Sequence, residues 1–236
     1  MQVIGHRGAP DAARENTLES FEKAIAAGAE IIEFDVRVTA DGRLAVIHDQ
    51  VLGGQKVAQV SFEKLNSLAA KENFSVPDMQ SALRVISGRA KAQIEIKERG
   101  HEEQVVNAAL SVLGTKDFSI ISFYHGVLEK ICSRHENIEL GLILSYGKGH
   151  IRQLFDFILR RKKILKTVNY FALDLRLAKP QFLRLIPKRF PVSVWTADDP
   201  EKIQEFLNNP RLFAVASNRP GLVREILNRI IIKPEV

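Results

Sequence analysis

One cysteine, Cys132, stands among 236 residues, which excludes an internal disulfide and leaves no thiolate cluster for zinc. No apolar run reaches the roughly 18 residues that a membrane span requires. Met1-Gln2-Val3-Ile4-Gly5-His6 lacks the charged segment and apolar stretch of a secretion signal, so a cytoplasmic location is the expectation. Linkers rich in Gly, Ser or Pro, low-complexity tracts and shifts of composition are all missing, and the chain reads as a single domain over 1–236. The net charge of +6 favours encounter with anions, whether phosphorylated metabolites, membrane surfaces or nucleic acid. Basic motifs with interleaved aromatics are absent, so nucleic acid is not an expected partner.

What the chain does contain is an alternation. Short β-branched runs begin near Val3, Ile31, Ala92, Phe118, Leu140, Phe171, Pro191 and Leu212, and a helical stretch follows each. One of these helices is expected over His150–Leu159. Eight β/α units in this length fit an α/β fold, the (β/α)8 TIM barrel. The rival is an open doubly wound sheet, which normally binds through a Gly-rich first turn; no G-x-G-x-x-G follows the first strand here.

The second strand, Ile31–Val38, sets the chemistry. Side chains alternate along a strand, so Ile32, Phe34 and Val36 share one face, while Glu33 and Asp35 share the other. Two adjacent carboxylates repel and call for a cation, and carboxylate oxygens suit Mg²⁺ or Ca²⁺. A solvated acidic edge is the bland alternative. The same alternation in Ile94-Glu95-Ile96-Lys97 turns Glu95 and Lys97 to the barrel axis, where Glu33, Asp35 and Glu95 can converge on one dication. Barrel chemistry gathers at the carboxyl ends of the strands. His6 and Arg7 end the first strand, Ser122-Phe123-Tyr124 the fourth and Trp195-Thr196 the seventh. His6 and His48 are the side chains suited to proton transfer near neutral pH. Arg7 and Lys97 are fixed cations able to hold a phosphate. Taken singly, each has a plainer explanation, such as a core histidine, a structural ion pair or a core tryptophan. Their joint placement at one rim argues against that.

The run His6-Arg7-Gly8-Ala9-Pro10, then Glu15-Asn16-Thr17, Ile32-Glu33-Phe34-Asp35-Val36, Val46-Ile47-His48-Asp49 and Ile94–Lys97 resembles the glycerophosphodiester phosphodiesterase family. Ser122-Phe123, Val194-Trp195-Thr196 and Ser217-Asn218-Arg219-Pro220 continue the likeness in order. The resemblance implies a barrel that hydrolyses glycerophosphodiesters to glycerol 3-phosphate and an alcohol with a divalent metal. Carried over, it makes His6 and His48 the acid/base pair and Glu33, Asp35 and Glu95 the metal ligands. It places Arg7 and Lys97 on the phosphate and Phe123 and Trp195 along the pocket. The chain departs from the family pattern at Arg14, at Asn218 where Asp is common, in Leu52–Lys56, and at Val76-Pro77-Asp78-Met79.

Leu154–Leu159 is followed by Arg160-Arg161-Lys162-Lys163 and Lys166. These cations fit the solvated end of an outer helix, where they would complement its dipole, or a weak peripheral contact with anionic lipid. The second reading would favour lysophospholipids, cleaved as by a lysophospholipase D. A barrel that binds phosphodiesters without turnover is the remaining alternative.

Overall fold

A computed structural model describes residues 1–147 and 151–232. Eight parallel strands close on themselves: β1 (Gln2–His6), β2 (Ile31–Val38), β3 (Lys91–Ile96), β4 (Phe118–Ser122), β5 (Glu139–Leu144), β6 (Tyr170–Asp174), β7 (Val192–Trp195) and β8 (Leu212–Ser217). Each pairs with the next, and β8 pairs with β1, so the sheet has no free parallel edge. Outside the strands lie α1 (Leu18–Ala26), α2 (Phe62–Ala70), α3 (Met79–Ile86), α4 (Glu102–Leu110), α5 (His125–Cys132), α6 (Ile151–Thr167), the short α7 (Pro180–Leu183), α8 (Pro200–Leu207) and α9 (Pro220–Ile232). The expected (β/α)8 barrel is therefore the observed fold.

Side-chain alternation builds two interiors. Ile32, Phe34, Val36, Ile94, Ile96 and Ile120 face outward and are buried under the helices. The inward face carries apolar clusters around Ile4, Ile31, Ala214 and Ala216, and around Ile121, Ile143, Tyr170 and Ala172. Register decides what the inward polar groups meet: Asp35 stands beside Glu95, Glu33 beside Gln93, and His6 beside Glu33.

Between β2 and β3 the chain makes an excursion. Asp41-Gly42 turns it back so that Leu44–Val46 pairs antiparallel with β2. A small separate core formed by Ile47, Leu52, Val57, Leu65 and Leu68 then packs this insert. Ser61 caps α2 by accepting from the Lys64 amide, and Asp78 caps α3 by accepting from that of Ser81. His48 rides on this insert, and the amide of Ile47 donates to the Asp35 carbonyl at 3.0 Å.

One element differs from expectation. The helix anticipated over His150–Leu159 runs over Ile151–Thr167, and His150 lies outside the described residues. Arg160–Lys163 thus sits inside α6 rather than at its end. Arg and Lys are good helix formers, and Phe157 and Ile164 are buried seven residues apart, so the inward stripe continues through the basic run.

Candidate active site

The carboxyl end of the barrel is built first by a tightly wound β1–α1 loop. Arg7 and Gly8 have φ of 56° and 89°, and a Cβ on Gly8 would lie 2.3 Å from Ser20 Oγ, so no side chain fits there. This winding aims the Arg7 amide at Glu33 Oε2, 2.9 Å away, and brings Arg7 Nε to 3.2 Å from Asp35 Oδ2. Glu15 holds the far end of the guanidinium at 2.9 Å. Asn16, also at positive φ, clamps Asp35 from both sides: its Nδ2 donates to Oδ2 at 2.8 Å, and its Oδ1 accepts from the Asp35 amide at 3.2 Å.

Glu33, Asp35 and Glu95 are buried, and each offers an oxygen within 4.8 Å of the others. Lys97 Nζ lies 2.7 Å from Glu95 Oε1 and 3.0 Å from Asp35 Oδ1. Beyond this ion pair with Lys97, Asp35 Oδ1 has no hydrogen-bond partner among the described residues. The electrostatics are uneven. Burial, then the charges of Asp35 and Glu95, push the Glu33 carboxyl well above the usual range. Burial lifts Glu95 to about 7 despite Lys97, with Asp35 adding to the rise. Burial acts upward on Asp35 too, but Lys97 and Arg7 outweigh it and hold that carboxyl well below its ordinary value. Three buried carboxyls beside two fixed cations cannot all ionise without a further positive charge, and one Asp35 oxygen has lone pairs to spare. A hard dication would fit that donor set, since every atom the three carboxyls offer is an oxygen.

That cavity has a volume of about 320 Å³. His6, Arg7, Glu33, His48 and Glu95 line one side, Ser145, Asp174 and Arg176 the other, and Phe123 and Trp195 the wall between. Lys97 opens instead onto an adjoining groove that shares His48, Glu95 and Phe123 with it. All nine residues singled out in the sequence therefore meet at one end of the barrel. The aromatic pair is edge-to-face with centroids 5.9 Å apart, and Trp195 Nε1 donates to the Ala172 carbonyl. Lys97 Nζ lies 5.8 Å from the Phe123 ring centroid.

The two imidazoles are held differently. His6 Nδ1 lies 2.8 Å from Asn218 Oδ1; burial first, then Arg7, lowers its pKa. His48 Nδ1 lies 2.8 Å from Asp49 Oδ1, an exposed carboxylate. Arg37 steadies His48 from the backbone, with Nε donating to its carbonyl at 2.8 Å and Nη1 to Glu98 Oε1 at 2.7 Å.

Sequence reasoning missed several of these supports. Arg37 shares the inward face of β2 with Glu33 and Asp35, so the alternation that found the carboxylates already pointed to it. Asn16 lies within a quoted motif but had no role. Asp174 and Arg176, which pair at 2.8 Å, left no local signal.

The sequence model of the glycerophosphoryl diester phosphodiesterase family matches residues 6–222. A glycerophosphodiester phosphodiesterase of Caldanaerobacter subterraneus is 26% identical over 226 residues, spanning 87% of this chain and 89% of that one. One from Bacillus altitudinis is 30% identical over 161 residues, which make up 60% of this chain and 66% of that one. In fold, the chain matches an Oleispira antarctica phosphodiesterase solved in complex with the product sn-glycerol-3-phosphate, with a TM-score of 0.79, 22% identity and 97% of each chain covered. With the family pattern running from the end of β1 into α9, the chain belongs to the glycerophosphoryl diester phosphodiesterase family.

Proposed function

We propose that the chain, acting as one domain, hydrolyses glycerophosphodiesters to glycerol 3-phosphate and an alcohol with the help of Mg²⁺ or Ca²⁺. The observation that carries this reading is the convergence of Glu33, Asp35 and Glu95 within 4.8 Å, beside a cavity that His6 and His48 both line. Glu33, Asp35 and Glu95 hold the dication, which when bound neutralises charge on the phosphoryl oxygens. Arg7 and Lys97 grip the diester and stabilise the charge that develops during cleavage. One imidazole removes a proton from the attacking oxygen, which belongs to water or to a hydroxyl of the substrate's glycerol. As the new P–O bond forms, the bond to the alcohol breaks and the other imidazole protonates the departing oxygen. Where the glycerol hydroxyl is the attacker, this step leaves a cyclic phosphate, and water then attacks its phosphorus with the two imidazoles in exchanged roles, opening the ring to glycerol 3-phosphate. Phe123 and Trp195 wall the pocket and keep the reacting groups from bulk water. The test is release of glycerol 3-phosphate by the purified chain from a panel of glycerophosphodiesters, with Mg²⁺, Ca²⁺ or a chelator. We expect release that the chelator abolishes; no release with either ion overturns the reading.

A second reading concerns the substrate's surroundings. Phe155, Ile158 and Leu159 on α6 are 60%, 56% and 67% exposed, on the helix that carries Arg160–Lys166. Large apolar side chains above a cationic stretch suit the surface of an anionic bilayer, which would give access to lysophospholipids. No described helix is long and apolar enough to cross a membrane, so the proposed contact is peripheral, from the cytoplasmic side. Sedimentation with anionic vesicles that is lost in Phe155→Ser/Leu159→Ser supports it, and failure to sediment at low salt counts against it.

A further inference from the structure

The loops after β7 and β8 carry a hydrogen-bonded chain that the proposed chemistry does not yet use. Asp198 follows β7 and Asn218 follows β8, while His6 ends β1, so three neighbouring strands meet across the seam where the barrel closes. Asp198 Oδ1 accepts from the Asn218 amide at 2.7 Å and from Ser217 Oγ at 2.9 Å. Its Oδ2 accepts from Asn218 Nδ2 at 2.6 Å. Asn218 Oδ1 then faces His6 Nδ1 at 2.8 Å. The β1–α1 loop also ties down Asn218, since the Asp11 amide donates to its carbonyl at 3.2 Å.

A side-chain amide has two nearly isosteric ends, and its hydrogen-bond partners decide which way it points. A carboxylate only accepts, so the end of Asn218 that meets Asp198 is the NH2 group. The carbonyl end is thereby turned to His6 and can only accept, so Nδ1 must carry the proton. Nε2 is left with its lone pair on the side of the ring away from Asn218, for the cavity that His6 lines. His48 has no such intermediary, because its Nδ1 meets a carboxylate directly.

We propose that Asp198, acting through Asn218, is a positioning residue that fixes His6 as the Nδ1–H tautomer and presents Nε2 as a proton acceptor. This rests on the reading of His6 as one of the two proton-transfer groups. It adds the residue that orients it and the nitrogen that works. Removing Asp198 frees the amide to turn, and a turned amide donates to Nδ1 and moves the proton to Nε2. Exchanging the two side chains rebuilds the chain: a carboxylate at 218 accepts from His6 Nδ1–H, and an amide at 198 donates to that carboxylate.

The experiment is nitrogen NMR of histidine-labelled protein without substrate, with His6→Gln to assign the His6 ring, alongside kcat and KM on the best glycerophosphodiester. We expect wild type to show one tautomer with Nδ1 protonated, and Asp198→Ala to show a mixture. In Asp198→Ala kcat should fall about ten- to a hundred-fold, the size of loss found when the outer partner of a metal-ligating imidazole is removed, while KM stays within about two-fold. The exchange Asp198→Asn/Asn218→Asp should restore the single tautomer and most of kcat. If Asp198→Ala does not fold, Asp198→Asn alone takes its place and should show the mixture that the exchange removes. A single Nδ1–H tautomer in Asp198→Ala or in Asp198→Asn alone, or an exchange that restores nothing, overturns the proposal. The tautomer is read without turnover, so tautomers behaving as expected in a protein that cleaves no diester would sink the proposed function and leave the positioning role standing.

Discussion

The barrel interior has two ends built from the same strands, and they differ in how their charges are balanced. At the floor, Gln93 of β3 donates to the Tyr170 hydroxyl at 2.8 Å, and Ser119 Oγ lies 3.0 Å from the same oxygen. Both partners of that hydroxyl are neutral, the nearby charges of Lys91 and Glu139 pair with each other, and burial, with a further push from Glu139, moves the Tyr170 hydroxyl away from ionisation. Two residues further along β3, Glu95 joins Glu33 and Asp35, and burial with mutual repulsion lifts two of the three carboxyls. A rise of about 6.6 Å along β3 leads from Gln93, part of a satisfied polar plug, to Glu95, part of a group of carboxyls in want of a cation. The floor holds the barrel shut; the rim gives up stability to keep a ligand site ready, as functional sites commonly do.

That contrast is sharpest in activity. His48→Ala should lower kcat by about 10²–10⁴-fold, the contribution of a positioned proton-transfer group. Tyr170→Phe, at the floor, should leave kcat within about two-fold. Steady-state kinetics on one diester checks both, and comparable losses would erase the distinction between the ends. The next effect is ligand-linked stability. At a dication concentration a hundred times its Kd, wild type should gain about 2.7 kcal/mol, and so should Tyr170→Phe, whereas Glu33→Gln should gain almost nothing. Thermal melts with Mg²⁺ or Ca²⁺ against chelator test this, and an equal gain in Glu33→Gln would remove that carboxylate from the ion's ligands. Smaller again is the packing cost at the floor. A Cβ on Gly141 would lie 2.5 Å from the Tyr170 ring, so Gly141→Ala should destabilise by about 1–3 kcal/mol. Urea unfolding measures it, while activity per folded molecule stays unchanged.

How much of this was legible in the sequence follows from the range of each interaction. The period of two along β2 put Glu33 and Asp35 on one face, and the same pattern in β3 turned Glu95 and Lys97 inward. Counting eight β/α units was enough to make β2 and β3 neighbours across the 52 residues of the insert between Val38 and Lys91, whereas the register that sets Asp35 beside Glu95 is seen only in the structure. Helix ends were read less well. The basic run in α6 suggested an end because solubility and dipole arguments favour cations there, yet buried Phe157 and Ile164 carry the helix on. The supports around the site were invisible. Asp198 reaches Asn218 across 20 residues and Asn218 reaches His6 across 212, and no local pattern encodes such pairs. Asn16 and Arg37 fall between these cases, since each sat in a pattern already noticed and lacked only a partner.

The smallest effect separates the two ends by pH. In a chelator, Glu95 titrates near 7 in the folded protein, against about 4.3 when unfolded. A carboxyl whose folded pKa is raised binds its proton more tightly in the native state, so between these values stability declines as pH rises. Other carboxyls shift oppositely: hydrogen bonds from Arg176 hold Asp174 below its ordinary value despite its burial, and that stability is lost as pH falls. The contribution of Glu95 is therefore read as the difference in unfolding free energy between wild type and Glu95→Gln. Without a dication, that difference should turn against wild type as pH climbs from about 4.3 to 7. With a saturating dication the slope should reverse, because the ion binds the ionised carboxylate and must displace the proton at low pH. The same measurement on Tyr170→Phe should show no change of slope between chelator and ion relative to wild type. Parallel slopes for wild type and Glu95→Gln in chelator would mean that the buried carboxyl at the rim is as settled as the phenol at the floor.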